Sequence, residues 1–234
     1  KYAMKIALVA DIHGNVPALE AMDAHLRTLS PDEIWFLGDA VGKGPGNAET
    51  CDWVMNRCTH ALGGNWDYGI GCKQFPQDHY YWNQLGQKRM AWLAALPAEL
   101  ELVMSGIRFR LFHGRPVTKL ITVDGDKELL ESCFQSEGGT FGGVICADSH
   151  RPFFRTMRPG YLMNTGSVGN SLGVTRAHGL LLEGDRGDVP GPLNVTVLSL
   201  PYDRERAIRL AQEDQDLPFA DAYINEIRTG SYSR

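Results

Sequence analysis

A short apolar segment followed at once by two polar side chains opens the chain. Residues 5–10 predict a β-strand buried on both faces, and Asp11 and His13 come directly after it. Side chains two positions apart in an extended segment point the same way, so this pair can direct a carboxylate and an imidazole to one point. Such a pair is typical of metal sites, although a helix-capping loop before a helix over 15–29 explains it equally well.

The same arrangement recurs along the chain, which favours the metal site. A strand over 33–37 ends at Asp39, and after a helix over 47–58 a third strand over 60–62 ends at Asn65. Two later strands, 107–112 and 143–147, end at His113 and at Asp148 with His150. Alternating strands and helices predict a parallel sheet, whose ligands bind at the carboxyl ends of the strands.

All these side chains offer oxygen or imidazole and none offers a thiolate. This set suits two hard or borderline divalent ions that share a carboxylate. Two such ions, about 3.5–4 Å apart, stabilise displacement at phosphorus and lower the pKa of a bound water. The pattern therefore predicts a phosphoester hydrolase with a dinuclear metal site.

The remaining elements are a central helix, hairpins and a helical tail. They are predicted at 80–96, 100–104, 107–112, 127–134, 153–157, 161–164, 179–183, 194–200, 203–213 and 220–228. We expect a single domain over 1–234, with the tail 203–234 packed on it. Met4 opens the first strand, so residues 1–3 are expected to be an addition before the natural start.

Composition excludes several classes of function. The 234 residues carry a net charge of -5, which disfavours a general nucleic-acid surface because phosphate binding needs clustered Lys and Arg. No apolar run approaches the roughly 18 residues of a membrane span, and no signal peptide is evident. The five cysteines form no CxxC pair. We expect a reduced, cytoplasmic protein without membrane partners.

The motifs Asp-x-His, Gly-Asp, Gly-Asn-x-Asp, His-Gly and a final pair ending in His occur in that order. In this order they resemble the calcineurin-like metallophosphoesterase superfamily, and more closely its small bacterial and archaeal phosphodiesterase branch. Further matches are His113-Gly114-Arg115-Pro116 and the segment 164–169. The resemblance implies an α/β (α+β) fold, a four-layer αββα sandwich of two mixed β-sheets flanked by helices.

The resemblance also implies how the ligands are divided between the two metals. The first metal would be held by Asp11, His13, Asp39 and His150, and the second by Asp39, Asn65, His113 and Asp148. Asp39 would bridge the metals, a metal-bridging hydroxide would attack phosphorus, and Asn65 and His113 would lie nearest the phosphoryl oxygens. We expect manganese, with iron, magnesium, zinc, nickel and cobalt as alternatives.

Two positions depart from the family pattern. Asp148 stands where the family has an imidazole, and it is expected either to bind metal directly or to act through water or a neighbour. Trp66 stands where many members have a histidine that protonates the leaving group. Its indole cannot do so usefully, and it is expected either to pack or to form a pocket wall that stacks on a base.

Arg115, Arg151 and Lys43 are candidate phosphate contacts beside Asn65 and Trp66, because a guanidinium binds phosphate bidentately. A purely surface role is an equal alternative for each arginine. We predict hydrolysis of a small phosphodiester or nucleotide. The alternatives are a dinucleoside polyphosphate hydrolase and, in another class, a non-catalytic binding or scaffold protein on a degraded phosphoesterase fold. A homo-oligomer is also possible.

Overall fold

The computed structural model describes residues 3–234, so Lys1 and Tyr2 of the expected addition lie outside the described residues. The strands are β1 Met4–Val9, β2 Glu33–Leu37, β3 His60–Leu62, β4 Glu99–Met104, β5 Ile107–Phe112, β6 Gln135–Ser136, β7 Gly139–Thr140, β8 Gly143–Cys146, β9 Phe153–Thr156, β10 Tyr161–Asn164, β11 Ala177–Gly184 and β12 Leu193–Leu200. The helices are α1 Val16–Leu29, α2 Asn47–Arg57, α3 Asn65–Gly71, α4 His79–Ala94, α5 Lys127–Ser132, α6 Arg204–Glu213 and α7 Ala220–Thr229.

Two five-stranded mixed sheets form the centre of the fold. The first has the order β12-β11-β1-β2-β3, in which β1, β2 and β3 are parallel and β11 and β12 are antiparallel to their neighbours. The second has the order β4-β5-β8-β10-β9, with β5, β8 and β10 parallel between antiparallel edge strands. The carboxyl ends of the parallel strands therefore gather polar loops, as predicted.

Alternation along β1 shows how the layers are built. Ile6 and Leu8 belong to a core between the two sheets, whereas Ala7 and Val9 belong to the core beneath the helices. The core between the sheets also holds Trp35, Leu102, Met104, Phe109, Leu111, Ile145, Met163, Leu180 and Leu182. A third core packs α5 residues on the outer face of the second sheet. The predicted four-layer sandwich of two mixed sheets flanked by helices is confirmed.

The helices agree with the sequence prediction except in the region after β3. Asn15 caps α1 as expected, since its Oδ1 accepts a hydrogen bond from the Ala18 N–H at 3.2 Å. α3 was not predicted, because two of its seven residues are glycine and no apolar periodicity marks it. The helix predicted over 80–96 is α4, which is kinked at Gly86, where φ is +73°.

The tail forms two helices with a core of their own. α6 and α7 pack on each other through Ala207, Ile208, Tyr223 and Ile227, and Tyr80 of α4 lies against this cluster. Among residues 3–234, no helix is both long and apolar enough to cross a bilayer. The assignment of 1–234 to a single domain stays a prediction.

Phe109 tests the packing between the sheets because its side chain is fully buried there. We expect Phe109→Ala to lower the free energy of unfolding by about 3–5 kcal/mol, the usual effect of leaving a cavity of this size. Phe154→Ala, at a side chain that is 46% exposed, is the matched control and should cost well under half as much. Urea unfolding followed by circular dichroism measures both, and equal losses would contradict the assignment of Phe109 to this core.

Candidate metal centre

The seven predicted ligands lie in loops that meet where the two sheets end. Asp11 and His13 follow β1, Asp39 follows β2, and Asn65 opens α3 directly after β3. His113 follows β5, and Asp148 and His150 follow β8 in the other sheet. The residues of the centre thus come from five strand ends and both sheets.

Left-handed backbone turns, not extended strand geometry, direct most of these side chains inward. Five of the seven ligands have positive φ angles: Asp11 at 53°, His13 at 50°, Asp39 at 62°, Asp148 at 68° and His150 at 60°. Each such residue costs about 1–3 kcal/mol, and this kind of strain clusters at functional sites. Asp11 and His13 therefore converge as predicted, but they do so through left-handed turns. Strand alternation does not direct them, since β1 already ends at Val9.

Two groups of three side chains bring their ligand atoms within 4.8 Å of one another. They are Asp11, His13 and His150, and Asp11, Asp39 and His113. Asp11 Oδ1 lies 3.2 Å from the Nε2 of His150, and the Nε2 atoms of His13 and His150 are 3.2 Å apart. Asp11 belongs to both groups, and Asp39 Oδ2 lies 3.2 Å from His113 Nε2 and 3.6 Å from His13 Nε2, one histidine of each group.

Each of the three histidines is oriented by a backbone carbonyl group. The Nδ1 of His13 lies 3.1 Å from the Val41 carbonyl oxygen, and that of His113 lies 2.6 Å from the Leu37 carbonyl oxygen. His150 Nδ1 lies 2.7 Å from the carbonyl oxygen of Asn170. An Nδ1–H that donates to these oxygens fixes the tautomer and leaves Nε2 as a lone-pair ligand toward the centre, which is the usual support of a metal-binding histidine.

Burial and mutual charge shift the pKa values of these groups. Burial alone would raise the pKa of Asp11, but the nearby His150 and His113 hold this pKa well below its usual range. Burial alone would lower the pKa of His113, yet Asp39 and Asp11 raise it well above the usual value, whereas burial lowers the pKa of His13. A cation that binds here must therefore displace a proton from His113.

Unpaired polar atoms show that the centre fits a cation. Within residues 3–234, Asp11 Oδ1, Asn65 Oδ1 and His113 Nε2 are buried without a hydrogen-bond partner. Buried polar atoms are nearly always paired, and these three can all act as electron-pair donors to a metal. The residue set thus fits divalent metal ions held by carboxylate, amide and imidazole.

Asp67 is a functional residue to which the sequence analysis gave no role. Its carboxylate accepts hydrogen bonds from the backbone N–H groups of Asp39 at 2.7 Å, Ala40 at 2.9 Å and Gly64 at 3.0 Å. It therefore ties the loop after β2 to the loop after β3, although burial and the nearby Asp39 raise its pKa to about 7. The available signal was the acid of Gly-Asn-x-Asp, three residues after the glycine that caps α3.

The Asp148 carboxylate lies closer to the Arg115 guanidinium than to the His113 imidazole. Arg115 donates from Nη2 to Asp148 Oδ1 at 2.7 Å and from Nε to Oδ2 at 2.8 Å, and its backbone N–H donates to Oδ2 at 3.1 Å. The distance from Asp148 Oδ1 to His113 Nε2 is 3.8 Å. Burial opposes ionisation of Asp148, but Arg115 holds its pKa below the usual value. Arg115 thus neutralises the extra negative charge that Asp148 brings to the centre.

Trp66 is surrounded on several sides. Its ring lies edge-on to His13 and Tyr81, with centroids 5.9 and 6.3 Å apart, and its backbone N–H donates to Asp39 Oδ1 at 2.9 Å. The guanidinium of Arg234 lies 5.2 Å from the Trp66 ring centroid. A base could stack on this side of the indole only if Arg234 moved.

The other candidate substrate contacts differ in their environment. Lys43 is buried, and its Nζ donates to Glu226 Oε1 at 3.3 Å, so its positive charge is compensated by a carboxylate of the tail. Burial lowers the pKa of Lys43 despite that partner. Arg151 is exposed and lines the same cavity as Asp39, Asn65 and His150.

That cavity has a volume of about 820 Å³ and opens over the metal centre. The tail supplies part of its wall through Pro218, Phe219, Tyr232 and Arg234, none of which the sequence analysis had singled out. The one available signal was Glu226, an acid between apolar residues on the buried face of α7.

Comparison with known proteins agrees with the fold. Residues 4–187 match the family model of the calcineurin-like phosphoesterase superfamily domain. The chain belongs to the calcineurin-like phosphoesterase superfamily, as its motifs predicted.

The similar proteins include one curated sequence and two solved structures. An uncharacterized protein of Methanocaldococcus jannaschii is 26% identical over 176 residues, which are 70% of this chain and 69% of that protein. A hypothetical protein from Pyrococcus horikoshii aligns with a TM-score of 0.80 at 20% identity, over 97% of this chain and 99% of the other. A metallophosphoesterase from Sphaerobacter thermophilus aligns with a TM-score of 0.74 at 20% identity, over 98% and 100%. At this identity the two structures show the fold alone.

The pairing of Arg115 with Asp148 can be tested through metal affinity. We expect Arg115→Gln to tighten Mn²⁺ binding by about 10-fold, whereas loss of an ordinary orienting partner of a ligand weakens metal binding about 10–100-fold. The substitution both frees Asp148 and removes a nearby positive charge. Calorimetric titration of the metal-free protein with Mn²⁺ measures this. Arg151→Gln, at the same cavity, is the control, and unchanged or weaker binding in Arg115→Gln alone would contradict the expectation.

Proposed function

We propose that this protein is a dinuclear metal-dependent phosphoesterase that hydrolyses a small phosphodiester or nucleotide. The observation that carries the proposal is the group of buried, unpaired ligand atoms on Asp11, Asn65 and His113, at strand ends from both sheets. Membership of the superfamily supports the reaction class. Buried unpaired polar atoms are rare, so these atoms favour an intact metal-binding centre over a degraded one, and turnover by that centre is what separates an enzyme from the non-catalytic alternative.

The two groups in the structure share Asp11, whereas the proposed division follows the family resemblance and has Asp39 as the shared carboxylate. Asp11, His13 and His150 would hold the first ion, and His113 with Asn65 would hold the second. Asp39 would serve both, because its Oδ2 lies within 3.6 Å of the Nε2 atoms of His13 and His113. Bound divalent ions supply a water of lowered pKa and offset the charge of the phosphoryl oxygens.

The side chains of this protein have distinct tasks in the proposed reaction. The Trp66 N–H on Asp39 Oδ1 leaves Oδ2 as the free oxygen of that carboxylate. Asp67 fixes the loop that carries Asp39, and the backbone carbonyls of Leu37 and Val41 keep the Nε2 atoms of His113 and His13 turned inward. We propose Arg151 as the phosphate contact, because Arg115 and Lys43 are already paired with Asp148 and Glu226.

Metal identity and location are further parts of the proposal. We propose manganese, because the ligands combine carboxylate and amide oxygens with imidazole. The five cysteines are all free in the structure, which agrees with a reducing, cytoplasmic location. The dinucleoside polyphosphate alternative rests on stacking at Trp66, and the position of Arg234 over that ring disfavours it.

Asp39→Asn tests the proposal. We expect hydrolysis of bis-p-nitrophenyl phosphate with added Mn²⁺ to fall at least about 100-fold, and bound metal to fall as well, because both ions would lose a shared carboxylate. Asp124→Asn is the matched control, since this exposed carboxylate lines the same cavity outside the metal groups. Turnover and metal content of Asp39→Asn near the wild-type values would refute the proposal.

Trp66 leads to a prediction about leaving groups. A positioned general acid contributes about 10²–10⁴-fold, and the indole cannot provide one. We therefore expect methyl p-nitrophenyl phosphate to be hydrolysed far faster than dialkyl phosphates. Trp66→His should raise turnover of the poor leaving groups selectively. The measurement is kcat/KM against leaving-group pKa for both proteins, and two parallel plots would show that position 66 does not control protonation.

A further inference from the structure

The cavity over the metal centre is much larger than a phosphoryl group requires. Its volume of about 820 Å³ falls in the range of sites that enclose drug-sized organic ligands. Asp39, Asn65, Asp148 and His150 form part of its lining, so the cavity is continuous with the metal centre. A phosphoester bound at the centre would therefore extend its organic group into the outer cavity.

Exposed apolar side chains gather around this cavity. Phe75, Leu120, Val123, Phe219 and Tyr232 all line it, and their exposed fractions range from 43% to 67%. They come from three separate parts of the chain, and they are half of the ten most exposed large apolar side chains among residues 3–234. Concentrated exposed apolar surface of this kind marks a binding site.

The charges of the cavity favour a singly charged ligand. Four basic residues, Lys43, Arg115, Arg151 and Arg234, line it together with four acidic residues, Asp39, Asp78, Asp124 and Asp148. Asp39 belongs to the metal centre, but Lys43 is paired with Glu226 behind the wall, so the charges outside the metal centre still balance and leave no excess positive charge to attract a polyphosphate. This balance suits a phosphodiester, which carries one negative charge.

We propose that the outer cavity binds a large aromatic group of a phosphodiester monoanion, in contact with Phe219 and Tyr232 of the tail and with Phe75, Leu120 and Val123. The proposal rests on the proposed function and narrows its substrate class. An aromatic group is favoured over an alkyl chain because Phe75, Phe219 and Tyr232 are themselves aromatic and the Arg234 guanidinium lies 5.2 Å from the Phe219 ring centroid.

Calorimetric binding of two diester analogues with poor alkoxide leaving groups to the Mn²⁺-loaded protein tests this proposal. Methyl methylphosphonate and 2-(2-naphthyl)ethyl methylphosphonate carry the same charge and differ only in the group that would enter the outer cavity. We expect the naphthyl compound to bind at least about 10-fold more tightly to the wild-type protein, because it buries additional apolar surface. A third analogue, octyl methylphosphonate, should bind less tightly than the naphthyl compound.

Variants identify where the aromatic group binds. The double variant Phe219→Ala with Tyr232→Ala should reduce the 10-fold advantage to about 2-fold and leave the affinity for the methyl compound unchanged. Phe154→Ala with Val197→Ala removes exposed apolar side chains elsewhere, both 46% exposed, and should keep the wild-type ratio. Circular dichroism confirms that both double variants are folded.

Several results would overturn the proposal. They are equal affinities of the wild-type protein for the naphthyl and methyl compounds, no binding of either, tighter binding of the octyl compound, or an equal loss in the two double variants. Turnover of bis-p-nitrophenyl phosphate is measured in parallel. Hydrolysis without an aromatic preference would refute only this inference, whereas an aromatic preference without hydrolysis would refute only the proposed function.

Discussion

The rest of the structure depends on compensating the charge of two buried carboxylates, those of Asp11 and Asp39. A buried carboxylate without compensation costs several kcal/mol, so positive charge and hydrogen bonds must be brought to the place where the two sheets end. Three imidazoles surround the pair, the Trp66 N–H donates to Asp39, and the Asp148 N–H donates to Asp11 Oδ2 at 3.2 Å. The two sheets, the left-handed turns and the loop after β3 form the frame that holds these groups at one point.

Much of this frame could be predicted from the sequence because strand ends are marked by local patterns. The apolar runs of β1, β2 and β8 each stop at a polar residue, and the alternation along β5 places Phe109 and Leu111 in the core while Arg108 and Arg110 stay partly exposed. Parallel strands gather their carboxyl ends at one edge, so order along the chain was enough to predict convergence.

Contacts between distant segments could not be predicted in the same way. Arg115 and Asp148 are 33 residues apart, and no periodicity relates them, so the ion pair that they form could not be inferred from the sequence. The contribution of the tail to the cavity is similar. Lys43 and Glu226 are 183 residues apart, and although Glu226 stands among apolar positions of α7, nothing in the sequence indicates its partner. α3 depends on the hydrogen bonds of Asp67, which propensity alone does not indicate.

The left-handed turns at five of the predicted ligands restrict which amino acids can replace one another there. Asparagine, aspartate and histidine tolerate positive φ far better than branched or bulky residues, and glycine offers no ligand atom. Position 148, with φ at 68°, therefore accepts an aspartate in place of an imidazole more readily than it would accept a residue with a β-branched side chain. The backbone conformation at this centre therefore limits substitutions at these positions to a small set of short polar side chains, independently of the metal or ester that binds.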